Sequence, residues 1–344
     1  MNVNFALSNL ILDPVKQIIN VTKRKYIVYK DNKRHELYTN FIQSCTNNNI
    51  TVQDVINLGF KLMRQAKLHP HFFGNNSLLE TAQYLTFFAL QLPYEYNNSN
   101  YLNRTINESE TKKIIELFER RISERLPVEY ITHESWYSGH KFYVNEHVLV
   151  PRSIMNTRFN DFLNEMHWEN YRVLDLCTGS GCIGITLALL NSKIHVDLLD
   201  ISRQALEVAQ ININQYSLNN RVQCIQSDLF ENIKDRYDII ITNPPYVTTA
   251  EYNASPDEFK TEPKIALEAG IDGLNVLDII ITNAKHYLNP NGKLIAEVGV
   301  TAAKRIKRRY PNIPFKWYKY RKPSGEEAMF GMHCVFVCDA KGLS

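Results

Sequence analysis

The sequence predicts an α/β protein in which a mostly parallel, doubly wound sheet follows a small helical N-terminal region. Three observations support this. The first third of the chain places apolar residues at helical spacing, and residues 128–150 are rich in β-branched and aromatic residues. From Tyr171 onward, short apolar strands alternate with helices. The 344 residues are enough for about two domains of ordinary size.

Residues 1–126 are predicted to form the helical domain. Thr51 is a suitable cap for its first helix, Pro93 ends the second, and Pro127 stops the third. The predicted helices are 51–68, 77–92 and 108–126. The second helix is apolar but interrupted by polar residues, which indicates an amphipathic helix and not a membrane span.

Residues 127–152 are predicted to be a β-hairpin linker, because their aromatic and β-branched residues surround the turn sequence Ser138-Gly139. The remaining residues, 153–344, are predicted to form the α/β domain. Its predicted strands are 172–176, 194–199, 222–226, 237–242, 293–297 and 328–338. The helices predicted between them run from a glycine turn to residue 191, over 202–213 and over 274–288.

Composition excludes several classes of protein. A chain that is 44% hydrophobic and 22% charged is neither collagen-like nor of low complexity. The six cysteines include no Cys-x-x-Cys pair and no zinc-finger spacing, so we expect free thiols, no metal and a reduced, cytoplasmic compartment. The N-terminal sequence lacks the basic region and cleavage site of a signal peptide. The net charge of +3 allows an anionic partner without requiring one.

The strongest chemical signal is VLDLCTGSGCIG at residues 173–184. Gly179, Gly181 and Gly184 satisfy the pattern G-x-G-x-x-G between a predicted strand and a predicted helix. Asp200 ends the next strand, at the spacing expected of a carboxylate that binds ribose hydroxyls. The sequence therefore predicts a cofactor that contains a nucleoside.

Asp175, at the tip of the first strand, discriminates between two such cofactors. A carboxylate there would repel the pyrophosphate of a dinucleotide but would favour the ammonium group of S-adenosylmethionine. Asp228, after the third strand, is suited to the adenine amino group. Two other roles stay open: a turn-ordering Asp175 and a helix-capping Asp228.

The second signal is Asn243-Pro244-Pro245-Tyr246 at the end of the fourth strand, where ligands bind in open parallel sheets. The prolines rigidify the backbone and lack N–H groups. The Asn243 side-chain oxygen and the Pro244 carbonyl can then accept both hydrogens of an –NH2 group and orient its lone pair, while Tyr246 stacks on a planar group. Asn243, Pro244 and Tyr246 are the predicted catalytic residues of a direct methyl transfer, and a simple proline-rich turn is the alternative.

DLCTGSGCIG, Asp200, Asp228 and NPPY together resemble the class I methyltransferases of the HemK/PrmC type, which methylate the side-chain amide nitrogen of a glutamine in a protein. The similarity covers roughly residues 50–340. The long hairpin and Pro151-Arg152-Ser153 are similar to the PrmB branch, which acts on the third large-subunit ribosomal protein. Further similar segments are LPVEYIT, FYVNEHVLVPRS, Glu262-Pro263, EAGIDGL and PNGKLIAEVG.

The resemblance implies a Rossmann-like sheet of seven strands, S-adenosylmethionine as cofactor and an N-terminal domain that docks the protein substrate. It implies that Asn243, Pro244, Pro245 and Tyr246 bind the glutamine amide. The cofactor residues it implies are Asp175, Cys177, Thr178, Gly179, Ser180, Gly181, Asp200, Asp228, Leu229 and Asn243. The chain departs from the family pattern at residues 154–158, where relatives carry a glutamate, and residues 1–50 have no counterpart.

Three other functions stay open: methylation of a peptide-release factor, methylation of adenine in nucleic acid, and a non-catalytic adaptor. An adenine enzyme needs a device to flip the base and a domain to read sequence, and no such insert follows the fourth strand. Two basic runs, at 23–34 and 304–322, are either solvated faces or contacts with an anionic partner such as ribosomal RNA.

Overall fold

A computed structural model of the protein describes residues 50–69, 78–93, 99–165, 170–321, 327–328 and 333–343. Among these, residues 50–124 without His69 form one compact unit, and His69 with the residues from Arg125 onward belongs to a second. The docking role of the first region and the division at residues 126 and 152 stay predictions.

The first unit consists of helices, as predicted. They are α1 Val52–Gln65, α2 Leu78–Ala89, α3 Ser99–Leu102 and α4 Glu108–Ser123. Thr51 caps α1 and shares a capping box with Asp54. Gly59 of α1 lets α4 approach closely, since a Cβ atom at this position would lie 2.5 Å from the Phe118 ring. Helix α4 ends before the predicted residue 126, because Arg125 has a left-handed φ of 55°.

The second unit opens with a short helix and a hairpin. They are α5 Val128–Thr132, β1 Glu134–Tyr137 and β2 His140–Tyr143. Ser138 and Gly139 have φ values of 53° and 78°, which a two-residue hairpin turn requires. The predicted hairpin at 127–152 is therefore confined to residues 134–143: residues 144–152 form no strand, and the N-terminal side is helical. There Val128, Tyr130 and Ile131 are buried on a helical turn, so tertiary packing overrides their β propensity.

A seven-stranded sheet forms the centre of the second unit. Its strands are β3 Arg172–Leu176, β4 His195–Asp200, β5 Val222–Gln226, β6 Tyr237–Thr242, β7 Leu288–Gly299, β8 Lys316–Tyr318 and β11 His333–Asp339. The order is β5-β4-β3-β6-β7-β11-β8. All pairs from β5 to β7 are parallel, whereas β11 runs antiparallel to both neighbours. The predicted fold class is confirmed.

The last predicted strand, 328–338, needs a correction. Two short strands, β9 Tyr320–Arg321 and β10 Glu327–Ala328, pair with each other in a separate sheet. Ala328 therefore belongs to β10, and the described part of the long strand is β11. The edge strand β8 was not predicted, because three residues give too short a pattern.

The second unit contains further helices, some of which pack on the two faces of its large sheet. They are α6 Phe159–Glu165, α7 Cys182–Leu190, α8 Arg203–Gln215, α9 Thr249–Ala254, α10 Asn275–Tyr287 and α11 Val300–Arg309. Ile185 of α7 is buried in the core on one face, and Leu277 of α10 is buried in the core on the other. Helix α11 was not predicted, because it buries only Ala302, Ala303 and Ile306 in a segment read as a basic run. Within the described segments, no helix is long and apolar enough to cross a bilayer.

The cysteines and basic runs are partly accounted for. The five described cysteines are free. The run at 23–34 and Cys45 lie outside the described residues. In the run at 304–322, Arg309 forms ion pairs with Asp272 (2.6 Å) and Asp278, and the Lys307 ammonium lies 4.7 Å from the centre of the Trp317 ring. Part of this basic run therefore makes contacts within the protein itself.

Candidate active site

The glycine loop joins the carboxyl end of β3 to α7 and owes its shape to left-handed backbone. Cys177, Gly179 and Gly181 have φ values of 60°, 55° and 81°. The φ of Gly181 is one that residues with a side chain rarely adopt, and a Cβ atom there would also lie 2.8 Å from Ile185 Cδ1. The Thr178 N–H donates to the Leu199 carbonyl at 2.9 Å and ties the loop to β4.

Asp175 lies behind this loop and is completely buried. Its Oδ2 accepts hydrogen bonds from Thr178 Oγ1 (2.6 Å) and from the Gly184 N–H (2.9 Å). Its Oδ1 has no hydrogen-bond partner among the described residues. Burial raises the pKa of Asp175 to about 7, against the lowering effect of these two hydrogen bonds. Asp175 therefore orders the loop from behind.

Asp200, at the end of β4, holds the loop from the other side. Its Oδ2 accepts from the Gly179 N–H and its Oδ1 from the Ser202 N–H, both at 2.9 Å. Burial raises the pKa of Asp200 in spite of these bonds. A carboxylate has about four acceptor sites, so it retains capacity for ligand hydroxyls.

A cavity of about 320 Å³, the first cavity, opens beside the loop. Nine predicted site residues line it: Cys177, Thr178, Gly179, Ser180, Asp200, Asp228, Leu229, Asn243 and Pro245. Asp175 and Gly181 are not among its lining residues, so they shape the loop from behind. Three exposed isoleucines, Ile201, Ile265 and Ile279, add apolar wall that the sequence did not single out.

A second cavity of about 570 Å³ contains the other part of the predicted site. Pro244 and Tyr246 line it, and Asn243 lines both cavities. The Asn243 Oδ1 atom is buried and has no hydrogen-bond partner among the described residues. The neighbouring Thr242 donates from Oγ1 to the Leu176 carbonyl at 2.6 Å, which locks the ends of β6 and β3 together. Asn243 thus presents an unused acceptor at the junction of the two cavities.

Arg152, beside both cavities, forms an ion pair with Glu262, and sequence analysis assigned neither residue a role. Arg152 Nη1 lies 2.7 and 2.8 Å from the two carboxylate oxygens of Glu262, which also accepts from the Val150 N–H at 3.1 Å. Arg152 lines both cavities, and the Glu262 side chain is fully buried. The only sequence signal was the similarity of Pro151-Arg152 and Glu262-Pro263 to the family pattern.

His333 and Glu297 were also missed. The Tyr246 hydroxyl lies 2.7 Å from His333 Nδ1, and Glu297 Oε1 lies 3.4 Å from the same nitrogen. Burial, with the nearby Glu297 carboxylate, raises the pKa of Tyr246 well above its usual value. An acid inside the apolar strand sequence LIAEVG was the signal that could have identified Glu297.

The sheet order, the glycine loop and the Asn-Pro-Pro-Tyr turn define a class I methyltransferase, which confirms the predicted class. A family model, Methyltransferase small domain, matches residues 159–307. Over 274 residues the chain is 38% identical to the ribosomal protein uL3 glutamine methyltransferase of Neisseria gonorrhoeae, covering 78% of this chain and 89% of that protein. The protein of the same name from Neisseria meningitidis serogroup A is 37% identical, with 78% and 88% covered.

The chain belongs to the ribosomal protein uL3 glutamine methyltransferase family. The resemblance inferred from the sequence is therefore confirmed. Among solved structures, a methyltransferase from Pyrococcus furiosus aligns with a TM-score of 0.41 and 16% identity, over 58% of this chain and 88% of that one.

Proposed function

We propose that the protein transfers a methyl group from S-adenosylmethionine to the side-chain amide nitrogen of a glutamine in ribosomal protein uL3. Family membership supports the substrate. The observation that carries the chemistry is the position of Asn243, which lines both cavities with a buried acceptor oxygen that has no partner among the described residues.

The residues of the first cavity fit S-adenosylmethionine. Asp200 retains acceptor sites for ribose hydroxyls, and Asp228 and Leu229 line the same cavity at the position proposed for adenine. Asp175 and Asp200 place two carboxyl groups around the glycine loop, which suits a cationic ligand better than the pyrophosphate of a dinucleotide. When bound, this cofactor supplies an activated methyl group on a positively charged sulfur.

The protein's own part is to make an amide nitrogen accept that methyl group. An amide nitrogen is a poor nucleophile because its lone pair is delocalised into the carbonyl group. Asn243 Oδ1 and the Pro244 carbonyl are proposed to accept its two hydrogens, which turns the lone pair toward the first cavity and stabilises the developing positive charge. The two prolines bring no N–H donor that would compete for these acceptors.

The second cavity is proposed to receive the glutamine and the substrate segment around it. Its lining includes the rings of Tyr246, Tyr252 and Phe259, which offer apolar surface to a peptide. Exposed Lys304 and Arg308 of α11 are proposed to contact ribosomal RNA when uL3 is met in an assembling particle. We place this reaction in the cytoplasm, where ribosomal proteins are assembled.

A side-by-side transfer assay tests the proposal. Wild-type protein, Asn243→Ala and the control Asn219→Ala are incubated with radiolabelled S-adenosylmethionine and, separately, with uL3, a release factor and an adenine-containing oligonucleotide. Asn219 is exposed in the turn before β5, at the opposite end of the sheet. We expect label in uL3 with wild type and Asn219→Ala, and almost none with Asn243→Ala. Label in the release factor alone, or in the oligonucleotide alone, would establish one of the rival functions.

A further inference from the structure

The hydroxyl of Tyr246 is held by a residue from the far end of the chain. His333 Nδ1 lies 2.7 Å from this hydroxyl, and the two rings meet edge to face with their centres 5.8 Å apart. His333 is the first residue of β11 and pairs with Gly299 at the end of β7. A contact between residues 87 positions apart thus fixes the aromatic residue of the Asn-Pro-Pro-Tyr turn.

The Glu297 carboxylate lies beside His333. Its Oε1 lies 3.4 Å from His333 Nδ1, and its Oε2 accepts from Ser153 Oγ (2.5 Å) and from the Ile154 N–H (3.0 Å). The Glu297 side chain is only 2% exposed. A buried carboxylate with several hydrogen-bond donors is stable in one orientation only, because any other leaves its charge unsatisfied.

These three side chains belong to the substrate side of the site. Tyr246, Glu297 and His333 all line the second cavity, and none of them lines the first. Tyr246 and Asn243 both line this cavity, so the position of the Tyr246 ring shapes the space offered to a substrate amide there. Stacking on a substrate amide needs the ring and not its hydroxyl, which leaves the hydroxyl available as a point of attachment.

We propose that His333, anchored by Glu297, is a positioning residue for methyl transfer: it holds the Tyr246 hydroxyl and thereby fixes the ring beside the place where Asn243 receives the substrate amide. This inference rests on the function proposed above. Because His333 acts through the Tyr246 hydroxyl, loss of the His333 side chain and loss of the hydroxyl should lower kcat equally. Loss of both should lower kcat no further. Cofactor binding in the first cavity is unaffected.

A double-mutant cycle tests this mechanism. The variants are Tyr246→Phe, His333→Ala, their combination, and His333→Asn, whose side-chain amide offers a polar atom close to the position of Nδ1. Each is assayed for kcat and KM with uL3 and for cofactor affinity by calorimetry. We expect about a tenfold loss of kcat for each single variant, because small displacements of reacting groups are costly, with unchanged cofactor affinity. The combination is expected to equal the single variants, and His333→Asn to recover most of the activity.

The matched control is His195→Ala, since His195 is exposed at the start of β4, at the opposite end of the sheet, and its removal is expected to leave all constants unchanged. Losses that multiply in the combined variant, or wild-type kcat in His333→Ala, would overturn the positioning role while leaving the proposed function standing. If His333→Ala does not fold, the other two single variants decide. A tenfold loss of kcat in Tyr246→Phe with near-wild-type kcat in His333→Asn supports the positioning role, and equal kcat in these two variants overturns it. Wild-type protein that methylates no glutamine in uL3 would overturn both.

Discussion

The two cavities meet at Asn243 but are built in different ways. The first is formed by backbone: a left-handed glycine loop and the carboxyl ends of neighbouring parallel strands. The second is formed by side chains from distant parts of the chain, such as Glu297 and His333, which lie 3.4 Å apart where β7 ends and β11 begins.

This difference predicts how each region responds to change. Backbone geometry in the first cavity depends on the absence of side-chain atoms at particular glycines, so added atoms should impair cofactor binding. The walls of the second cavity depend on buried charges that satisfy each other, so removed atoms should destabilise the fold or slow transfer to the protein substrate. The predictions below test this division, from the largest expected effect to the smallest.

Glu262→Ala should lower the free energy of unfolding by about 3–5 kcal/mol, because it removes the buried carboxylate that neutralises the Arg152 guanidinium. Chemical denaturation followed by circular dichroism measures this. The control is Glu207→Ala, which removes the carboxylate of an exposed ion pair with Arg203 and should leave the denaturation midpoint unchanged. Equal effects of the two substitutions would show that the buried Arg152–Glu262 pair stabilises the fold no more than an exposed ion pair does.

Asn243→Ala should lower kcat by about 10²–10³-fold, as expected for the loss of an acceptor that acts mainly in the transition state. The affinity for S-adenosylmethionine should change little, because the loop and Asp200 are untouched. Single-turnover transfer and calorimetry separate the two quantities. A loss of cofactor affinity as large as the loss of kcat would assign Asn243 to the first cavity alone.

Gly184→Ala should destabilise the fold by about 1–3 kcal/mol, since overpacking in a dense core forces its neighbours to shift. The new Cβ would lie 2.4 Å from Leu198 Cδ2 and 3.0 Å from Asp175 Oδ2. Cofactor affinity should fall with it. Gly139→Ala is the control: its φ of 78° strains the hairpin turn, but nothing lies within 4 Å, so cofactor affinity should remain that of wild type. Calorimetric and denaturation titrations of both variants give the comparison.

Asp175→Asn should have the smallest effect, about a tenfold loss of cofactor affinity at pH 8, by removing one charge near the ligand. Its effect on stability depends on pH. The folded-state pKa of Asp175 is raised from 3.8 to about 7, so the wild-type free energy of unfolding carries a penalty that grows as pH rises from about 4 to 7. The asparagine variant lacks this penalty, so its free energy of unfolding should rise relative to that of wild type as the pH increases over that range.

Denaturation at several pH values between 5 and 8 checks this trend, with Asp235→Asn as the control because Asp235 is largely exposed. A stability difference between Asp175→Asn and wild type that is constant over this pH range would mean that the buried carboxylate does not titrate there.

The first cavity could largely be predicted from the sequence. Strands β3, β5 and β6 have the predicted bounds, and nine residues selected from motifs line one cavity. This succeeds because each motif follows a strand directly, and neighbouring parallel strands bring their carboxyl ends to one edge of the sheet. The position of Asp175 behind the loop could not be predicted, since sequence gives the strand tip but not the direction of the side chain.

Much of the second cavity could not be predicted from the sequence. Arg152, Glu262, Glu297 and His333 come from four separate segments, and no local pattern states that they meet. The hairpin at 127–152 was overextended for a related reason, because burial of Tyr130 and Ile131 on a helical turn outweighed their β propensity.

The sequence by itself determined the doubly wound sheet, the glycine loop and the amide-binding turn, because these depend on residue types at fixed short spacing. Only the tertiary structure decided that Asn243 lies at the junction of two cavities and that the Tyr246 hydroxyl is held by His333, beside Glu297. The physical reason is that hydrogen bonds and ion pairs act over a few ångströms in space, whatever the separation along the chain. Pairing of β7 with β11 brings these groups together.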